Sequence, residues 1–397
     1  MPSRWWIAAL LFASTTINYL DRQTLSVLAP RLKTEFTWSN SDFALIVMAF
    51  RAAYALGQLL SGRMLDRVGT RKGLAVAVSA YSVVAMVTAL ASGLPGFAAC
   101  RFLLGLGESA NWPGAAKAVA EWFPKHERGW AVALYDSGSA IGGAVAPALV
   151  LGLAAWFGSW RPAFVVIGAL GFVWVAVWLR TYPPAPPPAL AGALSGPARG
   201  WGELARSRAA WGIILGRTLS DPVWFFVSDW FAVFLVARGF QLENTIVGFW
   251  APFLAADLGN FAGGGFSSWL IGRRGWPVER ARKLVVILGG LGMTSIAGAV
   301  WTNSFFWLIA LFALATFSYA ALSTMILTLP ADLFEPRAVA SVSGMSGAGA
   351  GLGTILTTFI IGAVADRYSF EPVLIAASLV PLGAVAAVLW LIKPVKT

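Results

Sequence analysis

Apolar stretches long enough to cross a bilayer recur along almost the whole of this 397-residue chain. A membrane-spanning helix needs about 20 such residues. Charged or Pro/Gly-containing turns divide them into twelve candidate spans, near 5–29, 43–62, 73–93, 95–120, 129–155, 162–182, 209–237, 244–272, 283–301, 304–329, 338–364 and 371–392. Only 12% of the residues are charged, against about 25% in a soluble domain. That excludes a soluble globular protein, a disordered chain and a nucleic-acid-binding domain, so the net charge of +11 is expected to sort to one face of a membrane. The first span is long, is interrupted by Asn18, Asp21 and Arg22, and lacks a small-residue cleavage site, so it is not expected to be a removed signal peptide.

Loop charges give the orientation. With the N-terminus inside, the cytoplasmic loops (among them 62–72, 125–128, 199–208 and 273–283) and the two termini hold 19 of the 29 Lys and Arg, and the other side holds 5. The excess over the other side is about four to one, which is expected to place both termini on the cytoplasmic side of the membrane. The expected organisation is an N-terminal six-helix bundle (1–182), a cytoplasmic Pro-rich linker (183–208) and a C-terminal six-helix bundle (209–397). Proline runs such as Pro183, Pro184, Pro186, Pro187 and Pro188 favour extended spacers. The stretch 201–208 either lies on the membrane surface through Trp201 or is plain solvated linker.

Several chemistries have no residues to carry them. A single cysteine, Cys100, excludes a disulfide framework and a Cys-based metal site. The one histidine, His126, excludes a His-cluster metal site or His proton relay. No GxxxxGK[ST] loop is present, and the GxG of GLGESA (105–110) lies inside an apolar helix. No metal, cofactor, nucleotide or enzymatic nucleophile–base pair is therefore expected.

The chain repeats itself. EWFPKHERGWAVALYDSGSAIGGAVAPAL (121–149) resembles DLFEPRAVASVSGMSGAGAGLGTILTTFI (332–360), and Asp21 in span 1 stands at a similar offset from Asp229 in span 7. Two pseudo-symmetric six-helix bundles around a midplane site are the transporter architecture that such repeats build. Their small residues, among them Gly138, Gly142, Gly347 and Gly351, permit close helix approach.

GRMLDRVGTRK (62–72) resembles the loop 2–3 signature of the major facilitator superfamily, RFLLGLGE (101–108) its span 4 pattern, and GSAIGGAVAP (138–147) its span 5 pattern. The equivalent loop 8–9 (265–283) lacks the Asp. Within the superfamily, NYLDR (18–22) and EWFP (121–124) resemble the anion:cation symporters, and SRAAWGIILGRTLSDPVW (207–224), ADLGNFAGG (256–264) and ARKLVVILGG (281–290) resemble the hexuronate transporters. Arg51 departs from that pattern, where an uncharged residue is expected. The resemblance implies an all-α fold of twelve transmembrane helices, anion-binding roles for Arg22, Tyr54 and Arg101, and proton roles for Asp21 and Glu108.

Ionisable residues inside a membrane are costly and mark function by default. Besides Asp21, Arg22, Arg101 and Glu108, the spans hold Arg51, Lys117, Asp136, Arg217, Asp221, Asp229 and Asp257. Arg101 and Glu108 are seven residues apart, so they share a helical face about 10 Å apart. At its depth in span 1, Asp21 can meet Arg101, either as part of a proton site or as a static ion pair. Arg22 points about 100° round the helix from Asp21 and offers a planar fork of donors to a carboxylate. Tyr19, Tyr54 and Gln58 are either sugar-hydroxyl ligands or packing groups, and Trp224, Asn260 and Ser346 are candidate linings from the other half. Arg217 and Asp221 are spaced to pair, Asp136 either caps or gates span 5, and Asp229 and Asp257 are not ranked. Asp66, Arg67 and Arg71 read as a conformational latch, with Asp332, Glu335 and Arg337 in the corresponding place. The expectation is a monomeric symporter, driven by the proton gradient, for a small organic anion: a hexuronate such as glucuronate or galacturonate, or else galactonate, glucarate or a simpler carboxylate. A membrane sensor that binds the same anion is the rival of another class.

Overall fold

The computed structural model describes residues 3–183, 200–240 and 246–393. Among the described residues all regular structure is helical: α1 (Arg4–Glu35), α2 (Asn40–Val68), α3 (Thr70–Thr88), α4 (Leu94–Glu108), α5 (Asn111–Trp122), α6 (Arg128–Trp156), α7 (Arg161–Thr181), α8 (Trp201–Ala205), α9 (Arg208–Ala237), α10 (Ile246–Gly272), α11 (Val278–Met293), α12 (Phe305–Leu333), α13 (Pro336–Arg367) and α14 (Glu371–Leu391). A 3-10 segment, Thr294–Val300, prolongs α11. With α4 and α5 taken as one interrupted run and the short α8 set aside, these make twelve membrane-length runs. Seven of the helices are long and apolar enough to cross a membrane by composition alone. Others, such as α1 with its Asn18, Asp21 and Arg22, carry polar breaks.

Local chemistry sets the helix ends. Ser39 and Asp42 form a capping box at the start of α2, each side chain satisfying the other's backbone N–H. A single residue, Gly69, joins α2 to α3 at φ +88°, a conformation that favours glycine. The break between α4 and α5 follows from Pro113, whose ring is incompatible with the carbonyl of residue 109 in a continuous helix. It leaves Glu108 as the last residue of α4. The next stretch, Asn111 to Ala120, is buried on every side.

The chain packs as two compact units. The first comprises Met1–Phe123, Leu134–Arg199 and Phe334–Ala348; the second comprises Pro124–Ala133, Gly200–Leu333 and Gly349–Thr397. The main passage from one to the other falls within the Pro-rich stretch 183–208, of which residues 184–199 lie outside the described residues. The two short exchanged stretches lie inside the repeated sequences 121–149 and 332–360.

Within each unit, glycines let backbones meet. A Cβ on Gly105 would lie 2.6 Å from the Phe50 carbonyl of α2, and one on Gly107 would lie 2.8 Å from Tyr81 Cβ of α3. Gly138 and Gly142 of α6 would each put a Cβ 2.5 Å from a carbonyl of α1. In the second unit, a Cβ on Gly259 would lie 2.1 Å from the Phe317 carbonyl. In lipid, where burial of apolar surface does not hold helices together, such close approach is a main source of association. Gly105→Ala is therefore expected to lower the melting temperature in detergent, at an overpacking cost of about 1–3 kcal/mol. Gly152→Ala, where nothing lies within 4 Å of the new Cβ, should leave it unchanged; equal melting temperatures for the two variants would contradict this packing account.

Candidate functional site

The first unit concentrates charge where α1, α2, α4 and α5 meet. Arg22 Nε donates to Glu108 Oε2 at 2.7 Å, and the Glu108 side chain is fully buried. Four aromatic rings surround the Arg22 guanidinium: Tyr54 with its centroid at 4.4 Å, Tyr19 at 5.0 Å, Phe50 at 5.1 Å and Trp112 at 5.9 Å. Guanidinium on aromatic faces gains both stacking and cation–π attraction. Only the Nε edge holds Glu108, while the buried Nη2 has no protein hydrogen-bond partner among the described residues. The result is a cation oriented by its neighbours with part of its donor fork unused.

Arg101 reaches the backbone of α1, its Nη1 donating to the Arg22 carbonyl at 3.5 Å. Asp21 is buried at 3% exposure within electrostatic range of Arg101 and Glu108. The direct ion pair is thus Arg22 to Glu108, where depth along the helices had suggested Asp21 to Arg101. Trp112 Nε1 donates to Asp136 Oδ1 at 3.3 Å, which ties Asp136 of α6 to the aromatic box. Gln58, buried on α2, rests against α13 so closely that a Cβ on Gly347 would lie 1.6 Å from its Oε1. Arg51 stands on the same α2 face as Tyr54 and Gln58. Ser346 is buried and donates to the Ser343 carbonyl.

The second unit holds a separate polar group. Arg217 Nη2 and Asp221 Oδ2 pair at 3.0 Å on α9, and the Tyr319 hydroxyl donates to Asp221 Oδ1 at 3.2 Å. Trp224 stacks on Tyr319 with centroids 5.8 Å apart and the planes 9° from parallel. Asn260 Oδ1 accepts from Thr324 at 2.9 Å. Asp257 is half-buried and engaged by a neighbour, and the side chain of Asp229 lies outside the described residues.

Asp66 is the hub of the first unit at the junction of α2 and α3. Its buried carboxylate accepts from Lys117 Nζ at 2.7 Å, from the Ser341 N–H at 2.7 Å and from the Ala340 N–H at 3.3 Å. Lys117 Nζ donates also to the Pro336 carbonyl at 2.7 Å. The start of α13 is thereby clamped, its partial positive end meeting a carboxylate. Glu121 closes the same cluster by accepting from Thr70 and Tyr182. Arg71 does something different: it donates to the Tyr182 carbonyl at 2.9 Å and the Leu179 carbonyl at 2.6 Å, capping the end of α7. Arg67 is exposed.

In the second unit Asp332 is held by Arg282 at 3.0 Å and Arg128 at 3.1 Å. Arg282, 1% exposed, also donates to Ser267 Oγ and to the Lys125 carbonyl. Glu335 and Arg337, which belong to the first unit, pair with each other at 2.9 Å in a more exposed position. Sequence reasoning counted Lys117 as a charge inside a span but gave it no partner, and it gave no role to Trp112, Phe50, Arg128 or Arg282.

The sequence pattern of the Major Facilitator Superfamily matches residues 11–280 and 275–397. The chain belongs to that superfamily. A hexuronate transporter of Escherichia coli (strain K12) is 33% identical over 413 residues, covering 98% of this chain and 93% of the relative. A galacturonate transporter of Dickeya chrysanthemi is 34% identical over 73% of this chain and 89% of its own length. Among solved structures, the E. coli fucose:proton symporter superposes with a TM-score of 0.80 at 14% identity, covering 99% of this chain and all of that one. That likeness shows the shared major facilitator fold, with twelve helices.

The Asp66–Lys117 pair gives a test that needs no ligand. Removing one partner of a buried ion pair strands the other, at a cost of about 3–5 kcal/mol. Asp66→Asn and Lys117→Met should each lower thermal stability in detergent, and the double variant should lose clearly less than the two losses combined. Additive losses would show that the two groups are not coupled.

Proposed function

We propose that this major facilitator protein is a proton-coupled symporter that takes up a hexuronate, such as glucuronate or galacturonate, across the bacterial inner membrane. The observation that carries the reading is Arg22, boxed by four aromatic rings and tied through one edge to a fully buried carboxylate. The chain is no enzyme: its superfamily and its matched relatives are transporters. It is an integral, multi-pass protein, and the excess of Lys and Arg in alternate loops supports a cytoplasmic position for both termini.

The chemistry follows from competition. A uronate carboxylate matches the guanidinium fork, and charge-assisted bonds of that kind are the strong ones. As the anion draws on Arg22, Glu108 loses part of its one direct cationic partner among the described residues. A buried carboxyl deprived of a counter-charge favours its protonated form. Anion and proton then bind together, and the complex crosses as one net-neutral load. Asp21, beside Arg101, is the second carboxyl of this relay. Tyr19, Tyr54, Gln58 and Ser346 supply hydroxyl and amide groups for the sugar ring. Asp66 with its partners, and Asp332 with Arg282 and Arg128, act as latches whose release accompanies alternating access. Galactonate, glucarate and simpler carboxylates are the competing substrates. Labelled uptake into proteoliposomes under an imposed pH gradient ranks them, and a purified protein that binds these anions without moving them would be a sensor.

Arg22→Ala should weaken anion binding by about 1.5–3 kcal/mol, roughly ten- to a hundredfold, with little change in protein yield. Unchanged affinity in a binding assay would remove Arg22 from the site. Glu108→Gln should abolish uptake driven by a pH gradient while internal-for-external exchange survives, because exchange needs no net proton release. Gradient-driven accumulation at the wild-type level would end the proton role of Glu108.

A further inference from the structure

A second feature of the first unit lies away from the aromatic box. Asn18 is fully buried, yet neither its Oδ1 nor its Nδ2 has a protein hydrogen-bond partner among the described residues. The same holds for Asp21 Oδ2, Tyr81 Oη and Glu108 Oε1. Buried polar atoms are nearly always satisfied, and where protein groups do not do it, ordered water does. These five atoms are not scattered. Asn18 stands one turn before Asp21 on α1. Tyr81 of α3 lies against Gly107 of α4, next to Glu108, and within electrostatic range of both Asp21 and Glu108.

The polar character continues toward the cytoplasmic end. Ser14, one turn inward of Asn18, lies beside Tyr81 and donates to Asn111 Oδ1 at 2.8 Å. Asn111 in turn donates to Thr15 Oγ1 at 3.0 Å. Asp21, Asn18 and Ser14 fall on one face of α1 over two turns, about 10 Å of rise. Around them the helices present apolar surface, including the fully buried Leu11 and Leu104.

We infer that this seam holds a chain of ordered water that carries the coupling proton between Glu108 or Asp21 and the cytoplasmic end of the first unit, on a path separate from the anion on Arg22. The inference rests on the proton-coupled reading above. In each passage a neutral Glu108 gives its proton to an adjacent water and becomes the carboxylate that pairs again with Arg22. That water passes a different proton along its own hydrogen bond, and the Tyr81 hydroxyl accepts one proton as it releases another to the next water; Ser14, whose hydroxyl donates to Asn111 Oδ1, anchors the chain. Asn18 exchanges no proton; its amide anchors water from both its donor and its acceptor. Tyr81 and Asn18 are positioning and relay residues, with no contact to the anion.

Two measurements on the full-length protein decide this. X-ray hydroxyl-radical labelling modifies buried side chains that touch ordered water. Tyr81, only 1% exposed, should be labelled at least about tenfold more than Phe97, which is 0% exposed within an apolar cluster. Asn18→Leu should bring Tyr81 labelling down toward that of Phe97. In proteoliposomes, Tyr81→Phe should cut accumulation under a pH gradient about tenfold, within the range of a lost proton-transfer group, while anion exchange stays near wild type. Labelling of Tyr81 no greater than that of Phe97 overturns the inference. So does wild-type accumulation in Tyr81→Phe when Glu108→Gln has lost it. Accumulation that survives in Glu108→Gln counts instead against the proton role of Glu108 in the reading above.

Discussion

The arrangement of the first unit depends on one buried ion pair, Arg22 with Glu108 at 2.7 Å. Neither charge is tolerable alone in an apolar interior, and a buried pair adds little net stability while fixing geometry closely. The neighbouring sequence serves that geometry. Pro113 ends α4 immediately after Glu108, and Gly105 brings α2 within contact so that Phe50 and Tyr54 reach the guanidinium. Trp112, at the start of α5, completes the box and is itself oriented by Asp136. The cation is held on one side by Glu108, and its buried Nη2 has no protein hydrogen-bond partner among the described residues.

The clusters around Asp66 and Asp332 solve a common problem in different ways. In the first, an acid from α2 and a base from α5 clamp the start of α13. In the second, the loop that lacks the corresponding acid is served by Arg282 of α11, which joins Asp332, Arg128 and the Lys125 carbonyl. The repeat is therefore one of architecture, and its charges have been redistributed. Both clusters are built from charge-assisted bonds in protected surroundings, whose partners are costly to strand singly. Both are the clusters to which the proposed latch role is assigned.

Hydropathy made the twelve spans legible because an uninterrupted apolar run has few alternatives to a membrane helix. The intramembrane charges were equally plain, since each stands out against that background. Their pairing was not. Reckoning depth from Cα positions set Asp21 against Arg101, whereas the long Arg22 side chain reaches along the helix to Glu108. Phe50 and Trp112 gave no signal as cage walls because aromatic residues are common throughout the chain, with 26 Phe and 20 Trp. Lys117 was visible as a buried charge, but its partners Asp66 and Pro336 are 51 and 219 residues away in sequence. Only tertiary structure brings them together.

The central claim is that an anion on Arg22 obliges Glu108 to take a proton. Proton uptake on anion binding tests it directly, with the purified protein in weakly buffered solution and a pH indicator, as galacturonate or glucuronate is added to saturation. The account predicts uptake of about one proton for each anion bound, as expected where ligand and proton occupancy are linked, and its loss in Glu108→Gln. Saturating binding with no proton uptake, or undiminished uptake in Glu108→Gln, would contradict it.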